Sequence, residues 1–446
     1  RILEPVQEFL KENPGPLFHK MNIMKKSVII VGGGFAGLEL IKGIGNSLKY
    51  NVTLVDANNY NFFPPLIYQV STGFMEPSAI SYPFRKILRN FRNVRFRLGS
   101  LLEVVPSENK IMLSNGELHY DILVMATGTE SNYFGNKNIE KYSLPMKTIS
   151  DALTLRNAIL TRLDRATRHD DKEERKKLLT FVIAGAGPTG VELSGILAEM
   201  KTSILKKDYP ELSESDLGKI YLIDGQSAVL NTMSKNSQSY TYSKLNELGV
   251  EIKLNCLVND FKEDIVLLSD GTAIESKNLI WAAGVTAKAF DGFSPDSFGK
   301  GKRLKTNNFN LVKGYDNVYA LGDCALVLGD NEYLEGHPQL AQPAIQQAKN
   351  LALNLKKDQG PWKPFKYMDK GSLAIIGRNK AVFDLPKEKY FIKGFIAWII
   401  WISVHIMGLV NFKNRFRTLV NWIGYYLYKD QYFRMIIKPN EKKHIN

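Results

Sequence analysis

Two glycine-spaced turns are the residues of this chain best placed to do chemistry. Gly32-Gly33-Gly34-Phe35-Ala36-Gly37 follows the apolar run Ser27–Val31 and opens a helical pattern. The first glycine admits a tight turn, the second lets backbone approach a pyrophosphate, and the third allows close packing of helix on sheet. Phosphate charge would then meet the free N–H groups and dipole of a helix N-terminus. Asp56 closes the next apolar run, Asn51–Val55, where a carboxylate can accept hydrogen bonds from a ribose diol. The arrangement returns as Gly185-Ala186-Gly187-Pro188-Thr189-Gly190 after the run Leu179–Ala184, with Asp224 closing a strand at Ile220–Ile223. The stretch between Gly190 and Asp224 is longer than usual, because 199–218 reads as an extended helix plus a loop. A carboxylate at Asp224 favours NADH over NADPH: at about 4 Å it would repel a 2′-phosphate by roughly 4 kcal/mol per charge pair at an effective dielectric of 20.

Two dinucleotide turns imply two dinucleotides, and hydride transfer between a nicotinamide and a flavin is the economical chemistry, since side chains alone cannot carry hydride. Three further markers follow in order: Ala126-Thr127-Gly128, Ala283-Gly284 and Gly322-Asp323, each after a strand-like run. The ordered set resembles the two-dinucleotide-binding flavoproteins. That resemblance implies FAD at the first turn, NADH at the second, and Asp323 on the flavin's ribityl chain.

The cysteines narrow the choice. Cys256 and Cys324 are the only two and form no CxxC, so dithiol redox chemistry and cysteine-bound structural zinc are excluded. Cys324 is expected to pack. The six histidines have no metal-ligand spacing; His337 is expected at the surface and His405 as a packed or interfacial residue. Three segments resemble type II NADH:quinone oxidoreductases. These are Asn61 to Gly73 (NFFPPLIYQVSTG), Gly185 to Glu192 (GAGPTGVE), and Ala341-Gln342-Pro343-Ala344-Ile345-Gln346, similar to that family's AQ quinone motif. The resemblance spans about 25–440. Asn61 and Pro343 depart from the family pattern. It implies a flavin-edge role for Ala341 and Gln342, quinone contacts for Gln342 and Gln346, and a role for Glu192 in nicotinamide binding or proton movement. From the residues alone, Gln342 and Gln346 share one helix face at its N-terminal end, and Glu192 could equally complement a helix dipole.

The elements that must position these groups are βαβ units: apolar runs of strand length separated by helical periodicity. The expected fold is α/β, with two Rossmann-like domains and a C-terminal amphipathic helical membrane anchor. The expected boundaries are a tail at 1–20, FAD domain at 21–146 and 291–386, NADH domain at 147–290, and anchor at 387–446. Ser150 to about Lys177 reads as one charged helix whose DKEERKK run is a solvated face. The N-terminal segment has no apolar run of signal-peptide length, and Met21 or Met24 could be the true start.

The chain has 446 residues, 44% hydrophobic and 23% charged, which suits a globular protein and not a disordered one. Net charge is +14, which calls for a polyanionic partner. Much of the excess lies in 391–446, together with Trp398, Trp401 and Trp422. Phe395 to Val410 carries no formal charge but is short of the roughly 20 residues a span needs. Asn411 to Ile437 interleaves basic, aromatic and apolar residues, suiting a helix in the headgroup plane. The expected partners are therefore a membrane quinone, an anionic membrane surface and a second copy in a homodimer, with no nucleic acid and no metal. The expected location is monotopic, on the cytoplasmic face of the inner membrane. Two other functions fit parts of the sequence. One is a soluble NADH-dependent flavoreductase with another acceptor such as a ferredoxin. The other is a low-turnover redox-linked binding flavoprotein in the manner of apoptosis-inducing factor.

Overall fold

The computed structural model describes residues 25–203, 205–386, 390–428 and 433–437. The expected tail at 1–20, the candidate start at Met21 or Met24, and Lys429 of the basic C-terminal segment lie outside them. In chain order the elements that place the site are β1 (Lys26–Val31), α1 (Phe35–Ile44), β2 (Tyr50–Asp56), β3 (Val94–Leu98), β4 (Ile122–Met125), β5 (Leu144–Pro145), α2 (Ile149–Ala166), β6 (Phe181–Ala184), α3 (Pro188–Ser203), β7 (Ile220–Ile223), β8 (Val250–Lys253), β9 (Asn278–Trp281), β10 (Val318–Ala320), α4 (Ala341–Lys356), β11 (Ser372–Gly377), β12 (Lys380–Asp384), α5 (Gly394–Gly408) and α6 (Phe412–Tyr428).

Two parallel five-stranded sheets carry the chain, ordered β10-β4-β1-β2-β3 and β5-β9-β6-β7-β8. Both faces of each are covered, which is why their central strands read as unbroken apolar runs. In the first sheet Val28 and Ile30 pack with α1 and α4, while Ile29 and Val31 join the core on the opposite face. Helices α1 and α4 touch: a Cβ on Gly43 would stand 2.3 Å from that of Ala352. In the second sheet Ile183 faces α2 and α3, whereas Val182 and Ala184 face the antiparallel sheet formed by 258–275.

The chain crosses between the sheets twice, and the two crossovers pair: Glu130–Ser131 runs antiparallel to Val285–Thr286. Leu144–Pro145, expected with the first domain, pair instead with Ile280–Trp281 in the second sheet. The single charged helix expected from Ser150 to about Lys177 is two, Ile149–Ala166 and Lys172–Leu179. A Thr148/Asp151 capping box starts the first, and Asp171 caps the second by accepting from Glu173 N. Each cap satisfies N–H groups that a helix start leaves free, so Asp171 begins a new helix instead of continuing the old one.

The C-terminal helices pack back on the fold. The β11–β12 hairpin lies against α3 and α5, and α5 with α6 brings Trp401 and Trp422 into the core, 1% and 7% exposed. Among the described residues no helix is long and apolar enough to cross a membrane.

Candidate active site

The two glycine turns build matching cradles. Gly32 has φ 103° and Gly185 φ 104°, a backbone that L side chains rarely adopt. A Cβ on Gly32 would sit 2.2 Å from Ala126 O, and one on Gly185 2.5 Å from Ala282 O. Thus Ala126-Thr127-Gly128 and Ala283-Gly284 run directly over the two turns. Gly37 and Gly190 are equally crowded, with ideal Cβ positions 1.9 Å and 1.8 Å from the first glycine's carbonyl oxygen. Gly34 and Gly187 face open space, with nothing within 4 Å. Gly34 precedes α1 without a side-chain cap, leaving the N–H groups of Phe35 and Ala36 toward that space. A pyrophosphate fits there: the groups that would bind it are free, and a side chain would block it.

The acids match as well. Asp56 accepts from Gly33 N at 2.7 Å and from Asn58 N at 2.8 Å. Asp224 accepts from Ala186 N at 2.5 Å and from Gln226 N at 2.7 Å. The long insert before Asp224 therefore leaves its position unchanged. A carboxylate has about four acceptor sites, so each acid keeps capacity for a diol. Burial raises the Asp56 carboxyl, and the bonds from Asn58 and Gly33 lower it again. Asn61, the departure noted above, donates to Gly33 O at 2.9 Å and braces the first turn.

Gly322-Asp323 forms a short 3₁₀ turn at the end of β10. Gly322 N donates to Gln347 Oε1 at 2.7 Å, and Asp323 O accepts from Gln339 Nε2 at 2.9 Å. Burial raises the Asp323 carboxyl, while the cations Lys147 and Arg303 oppose that rise. Helix α4 begins beside this turn: a Cβ on Gly322 would meet Ala344 Cβ at 3.1 Å. Ala341 is its first residue, and no side chain caps it. Lys147 was not legible as a site residue. It is a largely buried amine whose Nζ donates to Thr129 Oγ1 at 2.5 Å, and burial lowers its pKa.

A third feature lies between the cradles and the C-terminal helices. A partly open cavity of about 50 Å³ is walled by Tyr68, Gln69, Glu192, Glu199, Trp401 and Trp422, among others. Glu192 and Glu199 are two turns apart on one face of α3, and α3 starts at the second cradle. Rings link the cavity to the first cradle. Phe35 packs edge-on to Phe63 at 5.7 Å, Phe63 meets His405 at 6.1 Å, and His405 stacks on Trp401 at 3.9 Å.

The wall is polar at selected points. Trp422 Nε1 donates to Gln69 Oε1 at 2.8 Å, and Gln69 Nε2 donates to Tyr68 OH at 2.9 Å. Tyr425 OH donates to Glu199 Oε2 at 3.1 Å. Burial pushes the Glu192 carboxyl up to about 8, partly offset by the N–H groups of Ile375 and the Trp401 indole. That indole Nε1 points at the carboxylate without a hydrogen bond of regular geometry. His405 is pushed down to about 4 by burial, so it is neutral at physiological pH.

Several expectations change. Gln342 and Gln346 do share a face, but both amides are committed to backbone. Gln342 donates to Gly371 O at 2.8 Å and accepts from Lys370 N at 3.0 Å; Gln346 donates to Met368 O at 2.8 Å and accepts from Met368 N at 3.0 Å. They clamp 368–371 to α4. His337 is 5% exposed, not on the surface, and pairs with Asp330 at 3.0 Å inside a ring of Tyr333, Phe365 and Tyr367. Trp422 and Tyr425, read as headgroup-plane residues, turn inward to Gln69 and Glu199 because those groups offer buried polar partners. Cys324 is buried and its thiol faces Met125 O and Leu321 O. Among the described residues no group of three His, Cys, Asp or Glu could hold a metal.

Comparison with known proteins identifies the family. The pyridine nucleotide-disulphide oxidoreductase family model matches residues 26–348, and the NDH2 C-terminal domain model matches 370–429. The chain is 35% identical over 414 residues to a type II NADH:quinone oxidoreductase of Mycobacterium tuberculosis, covering 89% of this chain and 87% of that protein. It is 28% identical to the type II NADH:quinone oxidoreductase of Haemophilus influenzae, covering 86% and 93%. The fold matches NDH2 from Plasmodium falciparum, solved in complex with NADH, with TM-score 0.84 at 24% identity over 93% of this chain and all of that one.

Proposed function

The chain belongs to the type II NADH:quinone oxidoreductases, and from that premise we propose how its own residues divide the work. It uses FAD and NADH and passes electrons to a quinone. Bound FAD supplies a ring that takes hydride from NADH and yields the electron pair to quinone. Gly32, Gly34, Phe35, Ala36 and Gly37 bind its pyrophosphate, with Asp56 on the adenosine ribose. Ala126-Thr127-Gly128, Gly322, Asp323 and Ala341 line the rest of that site. Gly185, Gly187, Gly190, Ala283 and Gly284 receive NADH, with Asp224 on its ribose. Phosphate-turn residues contribute position and electrostatics, which is most of what a protein adds to cofactor chemistry.

Glu192 holds a proton at the aromatic cavity. A carboxyl that stays protonated to about pH 8 can give that proton to a reduced quinone and regain it from water. Gln342 and Gln346 serve the quinone end by fixing 368–371 on α4; a direct bond to quinone would require that clamp to open. The observation that carries this reading is the cavity itself, walled jointly by helix α3 of the second cradle, the Tyr68-Gln69 segment and the C-terminal helices.

We divide the two domains as 21–146 with 291–386, and 147–290, except that Leu144–Pro145 go with the second sheet in which they pair, with 1–20 and 387–446 outside both. Helices α5 and α6 dock monotopically on the cytoplasmic face of the inner membrane, and a homodimer forms through the same C-terminal region. What supports docking is exposed apolar side chains, Ile396, Met407, Phe412 and Phe416, beside the exposed cations Lys413 and Arg417. Anaerobic titration of the FAD-loaded protein with NADH tests the central claim. The flavin absorbance should bleach and return on adding a short-chain quinone. A flavin that NADH leaves oxidised would end it.

A further inference from the structure

The first domain carries a second concentration of positive charge that the electron-transfer site does not use. Between Tyr82 and Ser100 the sequence has Arg85, Lys86, Arg89, Arg92, Arg95 and Arg97 and no acidic residue. All six side chains are exposed. None pairs with a carboxylate among the described residues: Arg85 lies over the Phe96 ring at 5.4 Å, and Arg97 donates to Asn115 O. Arg95 and Arg97 sit on β3, the edge strand of the first sheet, where charge guards against edge pairing. That role cannot explain Arg85, Lys86, Arg89 and Arg92, which lie on the preceding helix and turn.

The position of this patch points to its partner. Helix α6 rests on the segment that leads into it: Asn414 Nδ2 donates to Ser81 O at 3.0 Å, and Arg417 Nη1 donates to Ser78 Oγ at 3.2 Å. From Ser81 to Arg85 is no more than about 14 Å of extended chain. The basic patch therefore begins beside the amphipathic helix that exposes Phe412 at 78% and Phe416 at 59%, and it runs from there to Arg92, whose N–H donates to Asn46 Oδ1 just past the end of α1. A lone polyanion would need only the charge; a bilayer uses the charge and the adjoining apolar face together.

We propose that Arg85, Lys86, Arg89 and Arg92 form a second contact for anionic phospholipid headgroups, which fixes the flavin domain against the bilayer beside the C-terminal helices. The proposal rests on the membrane docking given above and adds a lipid class and a second point of attachment. Two contacts on different parts of the fold hold it in one orientation, whereas one amphipathic hairpin leaves it free to tilt.

The test is flotation of the FAD-loaded protein on vesicles of phosphatidylcholine alone, or with one third phosphatidylglycerol, at low and high salt. The variant K86Q/R89Q/R92Q changes only exposed side chains, and its flavin content checks its fold. Each basic residue near an anionic surface changes partition about fivefold, so the triple variant should lose on the order of a hundredfold on the anionic vesicles. Its binding to neutral vesicles should not change, and its salt dependence should flatten. If wild type binds both vesicles and the variant keeps the same anionic preference, the patch is not a lipid contact and the docking reading stands. If wild type floats with neither, the docking reading fails and the patch falls with it. A variant that keeps its vesicle preference but loses retention on immobilised RNA would assign the patch to nucleic acid and overturn the proposal.

Discussion

Replacing Glu192 with glutamine removes a titration while nearly preserving shape. Burial holds the carboxyl proton to about pH 8, against 4.5 for an ordinary glutamate. Between those values the folded protein binds this proton and the unfolded chain does not. Stability therefore falls as pH rises through that window, since ionisation is favoured only after unfolding. At 1.36 kcal/mol per pH unit the span amounts to about 5 kcal/mol once the pH exceeds the folded value. Glutamine stays neutral throughout and escapes the loss. With FAD bound in both, wild type and E192Q should melt at similar temperatures near about pH 5, and E192Q should melt several degrees higher near about pH 9. Steady-state quinone reduction by wild type should decline as pH passes about 8, and E192Q should be slower with that decline absent. A melting difference that stays constant from acid to alkaline pH would refute the reasoning, because only a proton bound at this site makes it vary.

Asp224→Asn keeps an acceptor for Ala186 N and removes the charge facing a 2′-phosphate. The kcat/KM ratio of NADPH to NADH should rise on the order of ten- to a hundredfold, measured with both coenzymes, and an unchanged ratio would remove Asp224 from the coenzyme site. Gln346→Ala opens the clamp on Met368 at a cost of about 1 kcal/mol per bond. Stopped flow should find quinone reduction slowed more than flavin reduction by NADH; equal slowing would count against a quinone-end role. Serine at Ile396, Met407, Phe412 and Phe416 together should move the protein from the membrane pellet to the supernatant without loss of bound flavin. Persistent sedimentation would refute docking through this face. Deleting 391–446 is a poorer test, since it strips Trp401 and Trp422 from the core.

Much of the dinucleotide architecture was legible because its signals are local. Glycine spacing, an apolar run before it and an acid after the next run all lie within one supersecondary unit, so Gly32 to Asp56 and Gly185 to Asp224 could be read along the chain. The cavity could not. Its wall joins Gln69 to Trp422 and Glu192 to Trp401 by tertiary contact, and no periodicity marks such pairs. The tail illustrates the limit: its aromatics read as one membrane-facing set, yet Trp401, Trp422 and Tyr425 face inward while Phe412 and Phe416 face out. Composition gives the amphipathic character, but only packing divides the rings between core and surface. The glutamines of α4 fail for a related reason, since sequence shows which face they share and not what backbone lies against it.

The first sheet is finished late. Strand β4 gains its outer neighbour β10 only after the whole second domain has been made, because 318–320 pair with 123–125 across that insertion. At roughly 5–20 residues per second, the nascent chain spends on the order of ten seconds or more with an apolar strand margin lacking its mate. During that interval the ribosome-bound fragment is vulnerable to mispairing. The first sheet can thus reach its full width only once the chain through Ala320 has been made.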